Sequence, residues 1–194
     1  MNINKIGQNQ YSFKAKFIDC TSINKFDNTS GKFIPESVNW LKFDRKNLYD
    51  VVALSQAAKN WQGEKFASNI AYMAMLMSER FLKNEPCEIF ILTKQKEDFD
   101  NLDNSQIIGM AEINKETKNT INLNYIEVDP TKSTLNINSE YKKIGSRMLD
   151  LLKSRYANCK IKLTADAGSV SEFYRKNGFE CTNEKRRTWE WQSN

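Results

Sequence analysis

The stretch from Glu140 to Phe179 constrains the fold more than any other part of the chain, because it predicts a helix, a strand and a second helix in close succession. Residues 160–164 alternate as a short strand. The second helix closes at Asn177-Gly178, where glycine suits the left-handed position after a helix. The first helix carries apolar residues at helical spacing: Ile144, Met148, Leu151 and Leu152.

The entry into the first helix predicts a site for an anion. A chain that enters a helix through a glycine-containing turn leaves backbone N–H groups unpaired at the positive end of the helix dipole. Such an end is a site for an anionic group, most often phosphate. Lys142 and Lys143 precede Gly145 and add positive charge at this end. The alternative interpretation is an ordinary surface helix whose lysines are solvated.

The pattern of the remaining residues predicts an α/β domain over residues 37–194, with elements in the order β-α-α-β-β-β-α-β-α-β. Residues 1–36 are rich in Asn, Lys, Ser and Thr and are interpreted as an N-terminal arm, in which Tyr11–Cys20 alternates loosely as a strand would. The expected elements outside residues 140–179 are strands at Ser37–Asp44, Glu88–Thr93, Gln106–Asn114 and Ile121–Val128, helices at Arg45–Asn60 and Glu64–Asn84, and an edge strand at Thr188–Trp191.

The absence of histidine from the 194-residue chain excludes a Ser-His or Cys-His nucleophile and any His-ligated metal. Four widely spaced cysteines form no zinc or redox motif, and reduced thiols in a cytoplasmic protein are expected. The longest apolar run, Ile70–Met77, is too short to span a bilayer, so no membrane partner is expected. A net charge of +5 permits an anionic ligand. It is weak evidence for nucleic acid, and no nucleic-acid partner is expected, because the chain lacks a basic stripe with interleaved aromatic residues.

Residues 106–179 resemble the core of the GNAT superfamily of acyl-CoA-dependent N-acyltransferases. The segment Tyr174-Arg-Lys-Asn-Gly178-Phe179 closely matches the family's Tyr-x-x-x-Gly-Phe signature. The family's turn, Arg/Gln-x-x-Gly-x-Gly/Ala, matches less well: Glu140 stands where Arg or Gln is usual, Lys143 stands where the first Gly is usual, and Gly145 is kept. A one-residue deletion in the turn would explain the mismatch equally well.

The resemblance implies a mixed, strongly twisted sheet with helices on both faces, and acetyl-CoA as the co-substrate. In the family, coenzyme A lies where the fourth and fifth strands splay apart. Carried over to this chain, the resemblance assigns the pantetheine to Ile126 and Val128. It assigns the pyrophosphate to the turn residues Lys142, Lys143, Ile144, Gly145 and Ser146.

The catalytic residues are expected from the resemblance and from the chemistry of amide formation. Tyr174 occupies the position that protonates the departing thiolate in many family members, and a phenol suits this step because its reference pKa, about 10, exceeds that of a thiol. The alternative is a tyrosine that only packs in the core. Without histidine, the base is a carboxylate or a water chain. Glu112 and Glu127 are the carboxylates predicted to lie on adjacent strands.

The break between the first two predicted helices is where the family usually holds its acceptor. Trp61 and Glu64 lie there. Trp61 could stack on a substrate or anchor the break to the core. The predicted function is acetyl-CoA-dependent N-acetylation of a primary amine, on a small molecule or a protein. The alternative is a non-catalytic acyl-CoA-binding or interaction protein with the same fold and a decayed phosphate turn.

Overall fold

The computed structural model describes residues 15–43, 47, 49–50, 52, 56–57, 61, 87–129, 140–165 and 170–193. Two helices are defined along their whole length, α1 (Ile144–Arg155) and α2 (Ser171–Lys176). The strands are β1 (Lys16–Asp27), β2 (Lys32–Lys42), β3 (Cys87–Thr93), β4 (Ile107–Thr117), β5 (Thr120–Val128), β6 (Tyr141–Lys142), β7 (Lys160–Thr164), β8 (Glu180–Asn183) and β9 (Thr188–Trp191).

Within the described residues, nine strands form one mixed sheet in the order β6-β1-β2-β3-β4-β5-β7-β9-β8. Strands β1 to β5 pair antiparallel with their neighbours, whereas β5 and β7 pair parallel because α1 crosses over between them. The α/β class with a mixed sheet is confirmed.

The two faces of the sheet carry separate apolar clusters, as the period of two along a strand requires. In β3, Phe90 and Leu92 belong to the first cluster, and Ile89 and Ile91 to the second. The first cluster is covered by α1 and by Tyr174 of α2. Ala57, which is helical, packs in the second cluster, so helical residues lie on both faces.

The N-terminal part of the chain enters the sheet more extensively than the sequence predicts. β1 runs from Lys16 to Asp27 and pairs along its length with β2, which begins at Lys32 rather than Ser37. The expected boundary between residues 36 and 37 therefore falls inside β2, and residues 16–36 form a hairpin of the sheet. Both strands have mostly exposed or half-buried side chains in this part, so their apolar pattern is weak; residues 16–20 of the strand expected at Tyr11–Cys20 lie in β1.

The C-terminal strand is correctly located at Thr188–Trp191, but its expected position at an edge is wrong. It lies between β7 and β8. The outer strand β8 is exposed at all four residues, so it has no apolar alternation by which it could be predicted.

The helices predicted before β3 are only partly covered by the structure. Residues 49–50, 52 and 56–57 are helical, as expected for the first of them. The second, Glu64–Asn84, lies outside the described residues. In the part of the chain that the structure describes, no helix combines the length and the hydropathy needed to cross a membrane.

Candidate active site at the opening between β5 and β7

The candidate site begins where the parallel strands β5 and β7 separate. β5 and β7 pair from Thr120 opposite Lys160 to Leu123 opposite Leu163. β5 then continues to Val128 while β7 ends at Thr164. Residues 124–128 thus form one wall of an opening in the sheet, with extended backbone at its rim.

A β-bulge in β5 coincides with this opening. Glu112 lies opposite Tyr125 and Ile113 lies opposite Leu123, so Asn124 is the extra residue of the bulge. The bulge was not predicted, although the sequence carries a signal of it, since the apolar positions shift from 121 and 123 to 126 and 128. A bulge bends a strand and increases its local twist, which turns the end of β5 away from β7.

The two residues assigned to the pantetheine lie on the wall formed by β5. Ile126 and Val128 are half-buried and pack on the first core cluster, on the face that α1 covers. Their side chains therefore turn toward the core, and their backbone is the part at the opening. Hydrogen bonds from strand backbone suit the amides of a pantetheine chain.

Gly145 is the point at which β5, α1 and α2 meet. A Cβ atom on Gly145 would lie 3.2 Å from Cζ of Phe173 and 3.7 Å from a methyl group of Val128. A side chain there would require the Phe173 ring or the start of α1 to shift. The signature glycine is thus explained by close packing, and Phe173 is a residue of this site that was not predicted from the sequence.

The residue that caps α1 has left-handed backbone although it is a lysine. Lys143 is the N-terminal capping residue of α1 and has a φ of 66°, in the left-handed region that glycine favours. Arg147 donates its backbone N–H to the carbonyl of Lys143, at 2.9 Å, as the first intrahelical bond. The N–H groups of Ile144, Gly145 and Ser146 precede that bond, so they have no acceptor within the helix.

The two lysines of the turn have different surroundings. Lys142 belongs to β6, and its Nζ lies 4.1 Å from the ring centroid of Phe33 on β2. Lys143 is exposed at the cap of the helix itself. Lys143 is therefore the lysine whose charge lies closer in sequence to the first N–H groups of α1.

Tyr174 lies on α2 among other aromatic rings. It is 8% exposed, and its ring centroid lies 5.2 Å from that of Phe173, 5.9 Å from that of Phe179 and 6.2 Å from that of Trp189. Because Phe173 also contacts the position of Gly145, the rings of Phe173 and Tyr174 connect α2 to the start of α1. Packing and a part in the chemistry are compatible for this residue.

The structure brings Glu112 and Glu127 onto one face of the sheet. Glu112 pairs with Tyr125, and Glu127 with Met110, so the two carboxylates are diagonal neighbours. Their face is that of the second core cluster, to which Met110 and Tyr125 belong. Glu112 is fully buried, and its Oε1 accepts a hydrogen bond from Nδ2 of Asn124 at 2.8 Å, whereas Glu127 is half-buried.

The structure supports the second of the two interpretations of Trp61. This residue is 2% exposed and packs in the second core cluster, and its backbone N–H donates to the carbonyl of Ala57 at 3.0 Å. A buried ring of this kind anchors the chain. Glu64 lies outside the described residues.

Comparison with known proteins places these features in a wider context. No family model and no curated protein sequence matches the chain. Among solved structures, a GNAT-family protein from Desulfovibrio desulfuricans is 12% identical with a TM-score of 0.50, over 90% of this chain and 99% of that one.

Two further solved structures are similar to the same degree. AtaT in complex with acetyl-methionyl-tRNAfMet is 13% identical with a TM-score of 0.51, over 80% of this chain and 94% of that one. AtaTR bound with AcCoA is 11% identical with a TM-score of 0.51, over 79% and 92%. At these identities the likeness concerns the fold. With a mixed sheet that opens between β5 and β7 at the turn into α1, the protein has the fold of the GNAT superfamily.

Proposed function

We propose that the protein transfers an acetyl group from acetyl-CoA to a primary amine. The observation that carries the proposal is the opening between β5 and β7, bounded by the start of α1 on one side and the helix of Tyr174 on the other. One end of this opening offers strand backbone to a pantetheine chain, and the other offers the first N–H groups of α1, which have no acceptor within the helix, to a pyrophosphate.

The donor occupies these two ends in our proposal. The backbone of Ile126 and Val128 pairs with the pantetheine. The turn from Lys142 to Ser146 binds the pyrophosphate, chiefly through the first N–H groups of α1. A phosphate group at a helix N-terminus is favoured by the dipole and by the exposed charge of Lys143.

The reaction moves one acetyl group and one proton. The amine nitrogen attacks the thioester carbonyl, and a base, Glu112 or Glu127 in our proposal, takes the proton of the amine. The backbone N–H groups at the open end of β5 are available to the developing oxyanion. The carbon–sulfur bond then breaks, and Tyr174 protonates the departing thiolate, which leaves as coenzyme A.

The second candidate, a binding protein without activity, rests on Glu140 and Lys143, which replace two residues of the family's turn. The left-handed backbone of Lys143 weakens this candidate, because it is a conformation that glycine favours. A decayed turn would be expected to lose this strained conformation, which costs about 1 kcal/mol for a residue with a side chain.

The acceptor is an amine whose class the experiment must find. AtaT was captured with acetyl-methionyl-tRNAfMet, so an aminoacyl-tRNA belongs in the panel beside small amines and peptide amines.

Cys20, Cys159 and Cys181 are free thiols, in keeping with the cytosol as the proposed compartment.

The test has two steps. Calorimetric titration with acetyl-CoA measures donor binding, and a thermal shift should accompany it because the ligand binds the folded state. Release of free coenzyme A is then measured with each acceptor class, using a thiol reagent. If acetyl-CoA does not bind at about millimolar concentration, the proposed donor site is excluded. Tight binding without release of coenzyme A for any acceptor class would favour the second candidate.

A further inference from the structure

We propose that the hairpin of β1 and β2 is part of the donor site and holds the phosphate turn in its binding conformation. This inference rests on the proposed function. The segments that carry the resemblance to the GNAT core lie within residues 106–179, and the hairpin precedes them in the chain. Its contacts lie on both sides of Lys143.

The backbone of the hairpin binds the segment before the turn. β6 pairs antiparallel with β1, with Lys142 opposite Asn24 and Tyr141 opposite Lys25. The backbone N–H of Phe26 donates to the carbonyl of Glu140 at 2.8 Å. Residues 140–142 are therefore an added edge strand of the hairpin rather than a free loop.

On one face of this small sheet, Tyr141 is buried in the first core cluster, with charged side chains beside its ring and hydroxyl group. It is 1% exposed, and its hydroxyl group donates to Oε1 of Glu36 at 3.4 Å. Nζ of Lys25 forms an ion pair with Glu36 at 3.0 Å and lies 5.9 Å from the centroid of the Tyr141 ring. Burial raises the pKa of Tyr141, so its phenol stays neutral and remains a donor.

On the other face, Lys142 is held by an aromatic pair at the end of the hairpin. Its Nζ lies 4.1 Å from the centroid of Phe33, whose ring packs edge-on against Phe26 at 5.3 Å between centroids. Successive residues of a strand point to opposite faces. The hairpin thus fixes the segment through Tyr141 on one face and Lys142 on the other.

The hairpin also binds the helix after the turn. Arg147, in the first turn of α1, donates from Nε to the backbone carbonyl of Ser22 at 3.1 Å. The residues between β6 and Arg147 are therefore held at both ends. A turn that is already ordered before the ligand arrives loses less conformational freedom on binding, and affinity rises accordingly.

The experiment compares two variants that weaken the contacts between the hairpin and the phosphate turn, called the hairpin variants, with two control variants that keep these contacts. Arg147→Met removes the hydrogen bond to Ser22, and Phe33→Ala removes the ring beneath Lys142 without changing a charge. Asp150→Asn removes the ion pair of Arg147 at 3.6 Å but leaves the bond to Ser22. Phe17→Ala removes an exposed β1 ring that stacks on Phe99 at 6.0 Å.

Titration calorimetry with coenzyme A and with pantetheine, which lacks the pyrophosphate, gives the readout. We expect both hairpin variants to bind coenzyme A about 3- to 10-fold more weakly, the range for one lost hydrogen bond or cation–aromatic contact. Pantetheine should bind all variants as it binds the parent. Amide exchange at residues 142–147 should be faster in the two hairpin variants and unchanged in the two controls.

Several outcomes would overturn the inference. If the parent binds coenzyme A and both hairpin variants bind it equally well, the hairpin has no part in the donor site and the acetyltransferase proposal stands. Weaker binding in Arg147→Met alone, with unchanged amide exchange, would make Arg147 a direct charge contact instead. Equal weakening for pantetheine would indicate general loosening of the fold. A parent that does not bind coenzyme A would overturn both proposals.

Discussion

The side-chain ammonium of Lys153 in α1 donates a hydrogen bond to the backbone carbonyl of Asn177, which follows α2. Its Nζ also lies 5.1 Å from the ring centroid of Phe179 and 5.5 Å from that of Trp191. A cation at the C-terminal end of a helix is favoured by the helix dipole. Lys153 therefore fixes the end of the helix that carries Tyr174.

Replacing Lys153 by Met should loosen α2 without unfolding the protein. The aliphatic chain still contacts the rings, and relief of the burial of a charge offsets part of the lost hydrogen bond, so the free energy of unfolding should change by less than about 1 kcal/mol. Amide exchange at Asn177–Phe179 should become about tenfold faster. Lys176→Met, which removes a mostly exposed lysine of α2, is the control. Equal rates of amide exchange at Asn177–Phe179 in the two variants would contradict the contact between Lys153 and the end of α2.

The same lysine should give a pH-dependent difference in stability. Burial lowers the pKa of Lys153, and Asp150 partly opposes this shift. The unfolded chain then binds more protons than the folded one just below the ordinary pKa of lysine, about 10.5, so the free energy of unfolding rises with pH there. Urea unfolding at about pH 7.5 and about pH 9.5 should show a larger advantage of the parent over Lys153→Met at the higher pH. An advantage that shrinks would mean that the pKa of Lys153 is not lowered.

The sequence predicted the parts of the fold where burial imposes a pattern. Strand β7 has the predicted bounds, because Ile161 and Leu163 are buried between exposed or half-buried neighbours. In the hairpin of β1 and β2, the buried residues are Ile23 of β1 and residues 38–41 of β2, so only a weak apolar pattern marked residues 16–36. Pairing between distant segments, such as Lys25 with Tyr141, leaves no local trace in a single sequence.

The candidate site was predictable where a residue type is dictated by local geometry. Gly145 and Gly178 stand where a side chain would be crowded or strained, with a φ of 73° at Gly178, and both were singled out from the sequence. Contacts that depend on packing could not be predicted. The burial of Trp61 and the contact between Phe173 and Gly145 depend on how elements that are distant in the sequence pack together.

Replacing Lys143 by Gly should separate the shape of the phosphate turn from its charge. Glycine accepts the φ of 66° without strain, so the free energy of unfolding should rise by about 0.5–1 kcal/mol. If backbone N–H groups hold the pyrophosphate, the dissociation constant for coenzyme A should stay within a few-fold of the parent, with a weaker dependence on salt. Chemical unfolding and calorimetry at two salt concentrations measure both effects. A variant that is less stable than the parent would be inconsistent with a strained Lys143.

Replacing the two carboxylates separately should identify the base. Glu112 accepts from Asn124 at the bulge where β5 leaves β7, whereas Glu127 lies on β5 three residues beyond Asn124. We expect Glu112→Gln, which keeps the shape and this hydrogen bond, to lower turnover about 10²-fold or more, and Glu127→Gln to change it only a few-fold. Release of coenzyme A is measured, with donor binding as the control. The reverse result would assign the base to Glu127. If both variants keep the parental turnover, neither carboxylate is the base, and a chain of water molecules would have to take the proton of the amine.

The hydroxyl group of Tyr174 can be removed without disturbing the packing around it. The ring is enclosed by Phe173, Phe179 and Trp189, so Tyr174→Phe keeps these contacts and removes only the hydroxyl group. If that group protonates the thiolate, the variant should fold and bind acetyl-CoA like the parent and lose about 10²- to 10⁴-fold in turnover.

The matched control for this prediction is Tyr156→Phe. The hydroxyl group of Tyr156 donates to Oε2 of Glu88 at 2.7 Å, and its ring packs in the same core cluster as that of Tyr174. Loss of this bond to a charged group should cost about 1.5–3 kcal/mol of stability and leave turnover unchanged. A Tyr174→Phe protein that keeps parental turnover would end the general-acid assignment, because the thiolate would then be protonated by water.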